Sequence, residues 1–243
     1  VAFGLAIMKS PELKHGPLEF LFTVDEETGL TGAMNLDTGL ISGKYLLNID
    51  SEEEGIFYIG CAGGINTIGE VTVSREKTPA NMVPVRFFVS GLTGGHSGGE
   101  IHQGFANSLH VMTRFIWPLV SEKGCLVSSF NGGNKHNAIP RECEAVLLVP
   151  EESAKDIVKK ASEYGEELKK EWSKIEPKIS FTSEELKQTP EDVLTKADSL
   201  RVAGLVNTLP HGIIAMSTAI PGLVETSTNA AAANLEDKVL VIL

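Results

Sequence analysis

The amino-acid sequence predicts an α/β protein with a second part of the α+β type. Two near-continuous apolar runs, Leu18–Val24 and Tyr45–Ile49, each end in carboxylates, which is typical of strands covered on both faces of a parallel sheet. A polar stretch at Arg75–Asn81 then separates these runs from a segment with the predicted order β-α-β-β-α-β. That order, with two long helices, is typical of an open-faced sandwich. We therefore assign residues 1–74 to an α/β domain and residues 75–243 to an α+β domain.

The elements of the first part follow from apolar runs and their breakers. Val1–Lys9 is predicted to be the end of a buried helix, because Ser10-Pro11 stops the pattern. Further strands are expected at Phe57–Cys61 and Glu70–Ser74. The sequence starts inside this helix pattern and stops on a strand-like run, so we expect both domains to be incomplete.

The second part alternates strands with amphipathic helices. The helix predicted over Gly99–Trp117 places Ile101, Leu109 and Ile116 on one face, and the helix over Glu151–Trp172 has the same kind of apolar stripe. The remaining elements are strands at Val83–Val89, Leu126–Phe130, Ala145–Val149, Lys178–Phe181, Gly212–Thr218, Leu223–Ser227 and Lys238–Leu243, and a helix at Thr189–Leu209.

Charge and composition exclude several classes of partner. The formal net charge is −11, whereas binding to nucleic acid or to an anionic membrane requires a basic surface. No apolar run approaches the length of a membrane span. The three cysteines show no C-x-x-C spacing, which favours reduced thiols in a cytoplasmic protein over disulfides or a thiolate zinc site.

Three carboxylates follow the predicted strands. Glu26 and Glu27 come after Leu18–Val24, and Asp50 comes after Tyr45–Ile49. Ligands bind beyond the carboxyl ends of parallel strands, and acids gathered there repel one another unless a cation lies among them. The spacing alone also fits solvated loop acids, so both interpretations stay open at this point.

Two glycine-rich loops carry the other candidates. His96 lies between Gly94-Gly95 and Gly98-Gly99, where flexible backbone leaves an imidazole accessible to a developing oxyanion. The polar loop Asn131–Glu142 offers amide and cationic donors for a substrate carboxylate. Each loop could equally be an ordinary turn. The other histidines show no H-x-x-x-H or H-E-x-x-H spacing and are interpreted as structural or surface residues.

Five segments together resemble one family. In order they are FTVDEETGLTGA, LLNIDSEEEGIFYIGCAGG, GLTGGHSGGEIHQGFAN, NGGNKHNAIPRE and IPGLVETSTN. They are similar to the aminoacyl-histidine (Xaa-His) dipeptidases, which belong to the two-zinc peptidases that include carnosinases and aminoacylases. The resemblance covers nearly the whole chain. It implies that residues 1–74 are part of a catalytic domain and residues 75–243 an incomplete lid or dimerisation domain.

The resemblance also implies roles for six residues. Glu26 matches the general base, Glu27 and Asp50 match ligands to the two zinc ions, and His96 matches a lid histidine that stabilises the oxyanion. Asn137 and Arg141 match substrate-binding positions. Phe105 departs from the family pattern, in which a basic residue is expected at that position.

The resemblance further implies two Zn²⁺ ions, with Co²⁺ or Mn²⁺ as alternatives. The family's H-x-D element and bridging aspartate would lie upstream of Val1, and a further histidine near the true C-terminus. Glu27 and Asp50 alone supply too few ligands, since zinc sites use three or four per ion. We therefore expect this fragment to bind metal weakly or not at all and to be inactive.

The function predicted for the intact protein is hydrolysis of dipeptides of the Xaa-His, carnosine-like kind by a zinc-activated water. An aminoacylase or tripeptidase of the same family is the alternative within this chemistry. A non-catalytic lid or oligomerisation module is the alternative outside it. The expected partners are a small peptide substrate and a second copy of the chain.

Overall fold

The fold is described from a computed structural model that covers residues 1–27, 29–50, 53–236 and 238–243. Contacts divide the chain into two compact units, Val1–Cys61 and Ala62–Leu243. Each unit is described by itself.

The described residues of the first unit contain two short helices, α1 (Ala2–Lys9) and α2 (Thr31–Met34). The predicted helix end is confirmed, because the backbone N–H of Ser10 donates to the carbonyl of Ile7 and the chain then leaves the helix. The predicted burial of this helix is wrong, since Phe3 is 71 % and Met8 50 % exposed. Gly4 is the buried residue of α1. A Cβ at this position would lie 3.0 Å from the ring of Phe22, so the absence of a side chain permits close approach.

The strands predicted at Leu18–Val24, Tyr45–Ile49 and Phe57–Cys61 are wrong for the described part of this unit, which contains no strand. Many of the apolar side chains in these runs are exposed, with Tyr45 at 93 % and Leu47 at 81 % of full exposure. An apolar run becomes a strand only where another strand pairs with its backbone groups. The described residues of this unit provide no such pairing.

In the second unit, the part that the structure describes holds four further helices: α3 (Ser97–Glu100), α4 (Ser108–Glu122), α5 (Ala154–Glu171) and α6 (Lys196–Thr208). Short 3₁₀ helices lie at Ile101–Gln103 and Glu151–Ser153. Its strands are β1 (Ile68–Thr72), β2 (Arg75–Lys77), β3 (Met82–Ser90), β4 (Gly95–His96), β5 (Leu126–Gly132), β6 (Ala138–Ile139), β7 (Cys143–Pro150), β8 (Ser180–Glu185), β9 (Asp192–Leu194), β10 (Gly212–Met216), β11 (Val224–Thr228), β12 (Ala232–Leu235) and β13 (Lys238–Ile242). None of the helices in the described ranges is long and apolar enough to cross a membrane.

Seven strands form one antiparallel sheet in the order β1-β13-β12-β5-β7-β3-β8. The predicted β-α-β-β-α-β order is confirmed by β3, α4, β5, β7, α5 and β8. The α/β fold class is confirmed with it. The boundary placed after Ser74 stays a prediction; β1, which precedes it, pairs with β13 of this sheet.

The core lies between the sheet and the three long helices. Val85, Phe87 and Val89 alternate along β3 and are fully buried, as expected for one covered face of a strand. Leu109 and Met112 of α4 belong to the same cluster. The opposite face of β3 is partly exposed, which matches the predicted open-faced sandwich.

Two predicted helices are shorter than expected. The segment Gly99–Trp117 is interrupted after the 3₁₀ turn, where Gly104 adopts a φ of 69° that favours glycine. Asn107 then begins α4, because its side-chain oxygen accepts the N–H of Leu109 at 2.9 Å. The helix predicted at Thr189–Leu209 begins at Lys196, since Asp192–Leu194 pairs with β2.

The strand β12 was missed. Its segment is rich in alanine, which has low strand propensity. Its neighbours decide the conformation, because Ala233 pairs with Val241 on one side and Gly132 on the other. Ala230 to Ala233 are consequently at most 1 % exposed.

Candidate active site

The glycine-rich segment presents the His96 ring in a defined orientation. Gly94 and Gly95 have φ values of 68° and 148°, which L side chains rarely adopt. A Cβ on Gly94 would also lie 2.4 Å from the Arg141 side chain. The chain therefore needs glycine here to turn into the short strand β4.

His96 caps the helix α3 with its own ring. Its Nδ1 accepts the backbone N–H groups of Gly98 at 3.1 Å and Gly99 at 3.3 Å. A ring nitrogen that accepts hydrogen bonds carries no proton, so the neutral ring holds its proton on Nε2. The side chain is exposed, and the described part of the structure places no acceptor at Nε2. The ring is thus set to donate a hydrogen bond through Nε2–H.

The polar loop lies directly beside this segment. His96 pairs with Ala138 in the two-stranded ladder of β4 and β6, and the N–H of Ser97 donates to the carbonyl of Asn137 at 2.9 Å. The Nε of Arg141 donates to the carbonyl of Leu92 at 3.0 Å. The structure therefore brings His96, Asn137 and Arg141 into one neighbourhood, and all three are exposed.

Asn229 supports this ladder and was not selected from the sequence. Its Nδ2 donates to the carbonyl of Ala138 at 2.8 Å, and the residue is only 7 % exposed. Its Oδ1 is buried and has no partner among the described groups. The sequence feature that could have indicated Asn229 is its position as the last residue of the segment IPGLVETSTN.

A cavity of 540 Å³ opens along the polar loop. Asn131, Asn134 and Lys135 line it together with Arg141, so amide and cationic donors face one space. Glu142 and Glu144 also border it. His96 and Asn137 are not part of this lining, which places Arg141 between the cavity and the histidine ladder.

His110 and His211 form a pair of half-buried histidines. The rings of His110 and His211 meet edge to face with centroids 5.7 Å apart beside a cavity of 170 Å³. Burial lowers the pKa of His110, and burial together with the neighbouring His110 lowers the pKa of His211 to about 4. Both rings are therefore neutral at pH 7. His110 donates through Nε2 to the carbonyl of Leu209 at 2.9 Å, which fits the structural role expected from the sequence.

The predicted carboxylates belong to the first unit. Glu26 and Glu27 lie in an exposed turn, where the carbonyl of Glu26 accepts the N–H of Leu30 at 3.3 Å. Asp50 is exposed too, and its N–H donates to Oδ1 of Asn48 at 3.0 Å. The structure thus places Glu26 and Glu27 in a turn and Asp50 in irregular backbone, and none of the three follows a strand among the described residues of this unit.

No group of three or more His, Cys, Asp or Glu side chains that could hold a metal ion occurs within the described ranges. Zinc sites use three or four ligands per ion. Glu27 and Asp50 therefore do not fit a complete two-metal centre by themselves, and their roles as ligands stay predictions.

The middle of the chain matches a known protein family. Residues 89–175 match the peptidase dimerisation domain of the M20 type. This part of the chain is similar to a peptidase dimerisation domain. The domain covers the elements from the end of β3 to the turn after α5, including the loops with His96, Asn137 and Arg141.

The dimerisation domain lies within a longer similarity to dipeptidases. The chain is 35 % identical over 237 residues to the cytosol non-specific dipeptidase of Escherichia coli. This match covers 98 % of the chain and 49 % of the relative. It is 27 % identical over 172 residues to the uncharacterized protein YqjE of Bacillus subtilis, covering 67 % of this chain and 41 % of that protein.

A solved structure shares the fold. The aminoacylhistidine dipeptidase of Vibrio alginolyticus matches with a TM-score of 0.84 and 40 % identity, covering 99 % of this chain and 49 % of that chain. The resemblance to aminoacyl-histidine dipeptidases is therefore confirmed. The chain spans about half the length of the Escherichia coli and Vibrio alginolyticus relatives.

Proposed function

We propose that the intact protein is a metal-dependent dipeptidase that hydrolyses Xaa-His dipeptides such as carnosine. The observation that carries this proposal is the 40 % identity to an aminoacylhistidine dipeptidase over 99 % of this chain. The acidic net charge of −11 fits a small peptide substrate better than a nucleic acid or an anionic membrane. We also propose a cytoplasmic location, as the name of the Escherichia coli relative states for that protein.

In this proposal Glu26 is the general base. A carboxylate of this kind takes a proton from the attacking water and returns it to the leaving amine. The exposed position of Glu26 on a turn leaves its oxygens accessible for that transfer.

Glu27 and Asp50 are proposed as ligands to one zinc ion each. Bound zinc would lower the pKa of water and polarise the scissile carbonyl, and Co²⁺ or Mn²⁺ could occupy the same oxygen ligands. Because two carboxylates do not complete two zinc sites, the 243-residue chain alone is expected to bind zinc weakly and to be inactive.

His96 is proposed to stabilise the tetrahedral oxyanion. The two glycine N–H groups bonded to Nδ1 fix the ring and leave the proton on Nε2, where it can donate to a developing negative charge. Since the bond is needed most in the transition state, its loss should lower kcat more than it raises KM.

Asn137 and Arg141 are proposed to bind the substrate. Arg141 lines the 540 Å³ cavity, where its guanidinium can pair with the carboxylate of a dipeptide. Asn137 lies one residue from the ladder that holds His96 and offers an exposed amide. The dimerisation domain further supports a homodimer as the assembled form.

The proposal is tested by assaying the full-length protein with β-Ala-His, with and without a chelator. We expect the chelator to abolish hydrolysis and added zinc to restore it. A panel with N-acyl amino acids and tripeptides separates the dipeptidase from an aminoacylase or a tripeptidase. Activity against none of these substrates would instead favour a non-catalytic oligomerisation module.

A further inference from the structure

Glu176 is a buried carboxylate outside the predicted site. The residue is 0 % exposed and lies in the turn after α5, where its N–H donates to the carbonyl of Trp172 at 2.8 Å. A buried carboxylate is unfavourable unless hydrogen bonds or a cation compensate for the lost water. No salt bridge found between described residues includes Glu176, so hydrogen bonds must stabilise it.

These hydrogen bonds come from both ends of the segment that carries His96. Oε2 of Glu176 accepts the backbone N–H of Thr93 at 2.7 Å, and Oε1 accepts the backbone N–H of Ala106 at 3.0 Å. The two amides flank residues 94–105, with His96 between them. One carboxylate therefore joins the two ends of this loop.

The loop has little regular structure to hold itself. It contains the two-residue strand β4, the short helix α3, one 3₁₀ turn, and glycines with positive φ at Gly94, Gly95 and Gly104. Elements of this length are not stable alone. Inside the loop the N–H of His96 donates to Oε2 of Glu100 at 2.8 Å, and the N–H of Ser97 donates to the carbonyl of Asn137. These contacts orient the tip, whereas Glu176 fixes the base.

We infer that Glu176 is a positioning residue for His96: its carboxylate closes the loop 94–105 and thereby fixes where the imidazole projects. The inference rests on the proposed function only for its consequence in catalysis. The position requires two acceptor oxygens, because the two N–H donors approach different oxygens. Glutamine offers one acceptor oxygen, and its NH₂ group would face a donor.

The variants Glu176→Gln and Glu176→Asp test this inference in the 243-residue chain. Amide hydrogen exchange across residues 94–105 should become about tenfold faster in Glu176→Gln than the change in global stability explains. The ring resonances of His96 should shift with it. Glu176→Asp keeps both oxygens on a shorter stem and should show a smaller change of the same kind.

Leu168→Ala is the matched control for destabilisation. Leu168 is fully buried in α5, and its apolar side chain makes no hydrogen bond to the loop. Exchange in residues 94–105 should therefore follow global stability in this variant. Unchanged His96 resonances in a folded Glu176→Gln or Glu176→Asp variant would overturn the inference, as would identical changes in Leu168→Ala.

The catalytic consequence is measured in the full-length protein. Glu176→Gln should lower kcat on β-Ala-His by about tenfold to a hundredfold with KM changed less than about threefold, because a displaced donor weakens transition-state contacts first. Glu176→Asp should recover part of kcat. If the wild-type protein hydrolyses none of the test substrates, the proposed function fails, while exchange and ring resonances still decide the positioning role.

Discussion

His96 is the residue on which the candidate site depends most. Its Nδ1 is occupied by two backbone donors, so that Nε2 carries the proton. This tautomer follows from the glycines at 98 and 99, whose N–H groups reach the ring from the start of α3. A histidine at the same position without these contacts would have no fixed donor atom.

Replacing His96 by alanine in the full-length protein should lower kcat for β-Ala-His by about a hundredfold, the usual effect of losing one oxyanion donor. KM should change little, because the bond is formed mainly in the transition state. Steady-state kinetics measure both parameters. His102→Ala is the control, since His102 is exposed in the same loop and bonds the side chain of Gln103. Equal losses in both variants would contradict a specific role for His96.

The half-buried pair of His110 and His211 predicts a pH effect on stability. The folded pKa of His211 is about 4, below the ordinary value of 6.5, so this residue destabilises the fold as pH falls from 6.5 towards 4. As the pH falls, the unfolded chain binds the proton before the folded chain does. The free energy of unfolding is therefore lower by about 3 kcal/mol at pH 4. Above pH 6.5 both states are neutral and the effect vanishes.

This loss is measured by urea unfolding of the 243-residue chain at several pH values between 7 and 4. His211→Asn should make the free energy of unfolding less dependent on pH across that range. His136→Asn, which removes an exposed histidine, should leave the dependence as in the wild type. If the free energy of unfolding of His211→Asn depends on pH as steeply as that of the wild type, another group causes the pH dependence.

Among the elements, α4 has a well-defined start. Asn107 accepts the N–H of Leu109 through its side-chain oxygen and donates through Nδ2 to the carbonyl of Ala230 at 2.8 Å. The residue is 4 % exposed, so both bonds are protected from water. The cap therefore also joins α4 to the segment that leads into β12.

Asn107→Ala should lower the free energy of unfolding by about 1–3 kcal/mol, because the helix loses its cap and the Ala230 carbonyl loses its donor. Chemical denaturation of the 243-residue chain measures the change. Asn134→Ala, at an exposed loop position, should change stability by less than about 0.5 kcal/mol. If Asn107→Ala lowers the free energy of unfolding no more than Asn134→Ala does, the assigned hydrogen bonds are contradicted.

Periodicity predicted the elements that carry their own signal. The helix α5 and the strands β3 and β7 were expected at nearly their observed positions, because their apolar stripes match one covered face. Strand β12 could not be found in this way, since only its neighbours β13 and β5 decide its conformation. The run Leu18–Val24 shows the opposite error, because apolar content alone does not supply a pairing partner.

The site was predicted residue by residue, but not its arrangement. The glycines around His96 and the polar loop were each visible in the sequence. Their contact arises from the ladder between β4 and β6, which pairs only two residues on each strand and is too short to leave a periodic signal. Asn229 and Glu176 were missed for a related reason: their importance lies in hydrogen bonds to backbone groups far away in the sequence.

For the molecule as a whole, the similarity to dipeptidases runs through both units, whereas the dimerisation domain lies only in the second. The chain spans 49 % of the length of the Escherichia coli dipeptidase it matches. In the proposed reaction, Glu26 of the first unit is the general base and His96 of the second unit is the oxyanion donor. The central claim of the proposed function is that Glu26 acts as the general base of the hydrolysis.

The most direct test of that claim compares kcat/KM for β-Ala-His between the wild-type full-length protein and Glu26→Gln, both saturated with zinc. Glutamine keeps the size of the side chain but cannot accept the proton of the attacking water. In Glu26→Gln, kcat/KM should fall by at least about a hundredfold, the lower range for a positioned general base. Glu12→Gln, at another exposed acid, should retain wild-type activity. Undiminished hydrolysis by Glu26→Gln would show that Glu26 is not the general base.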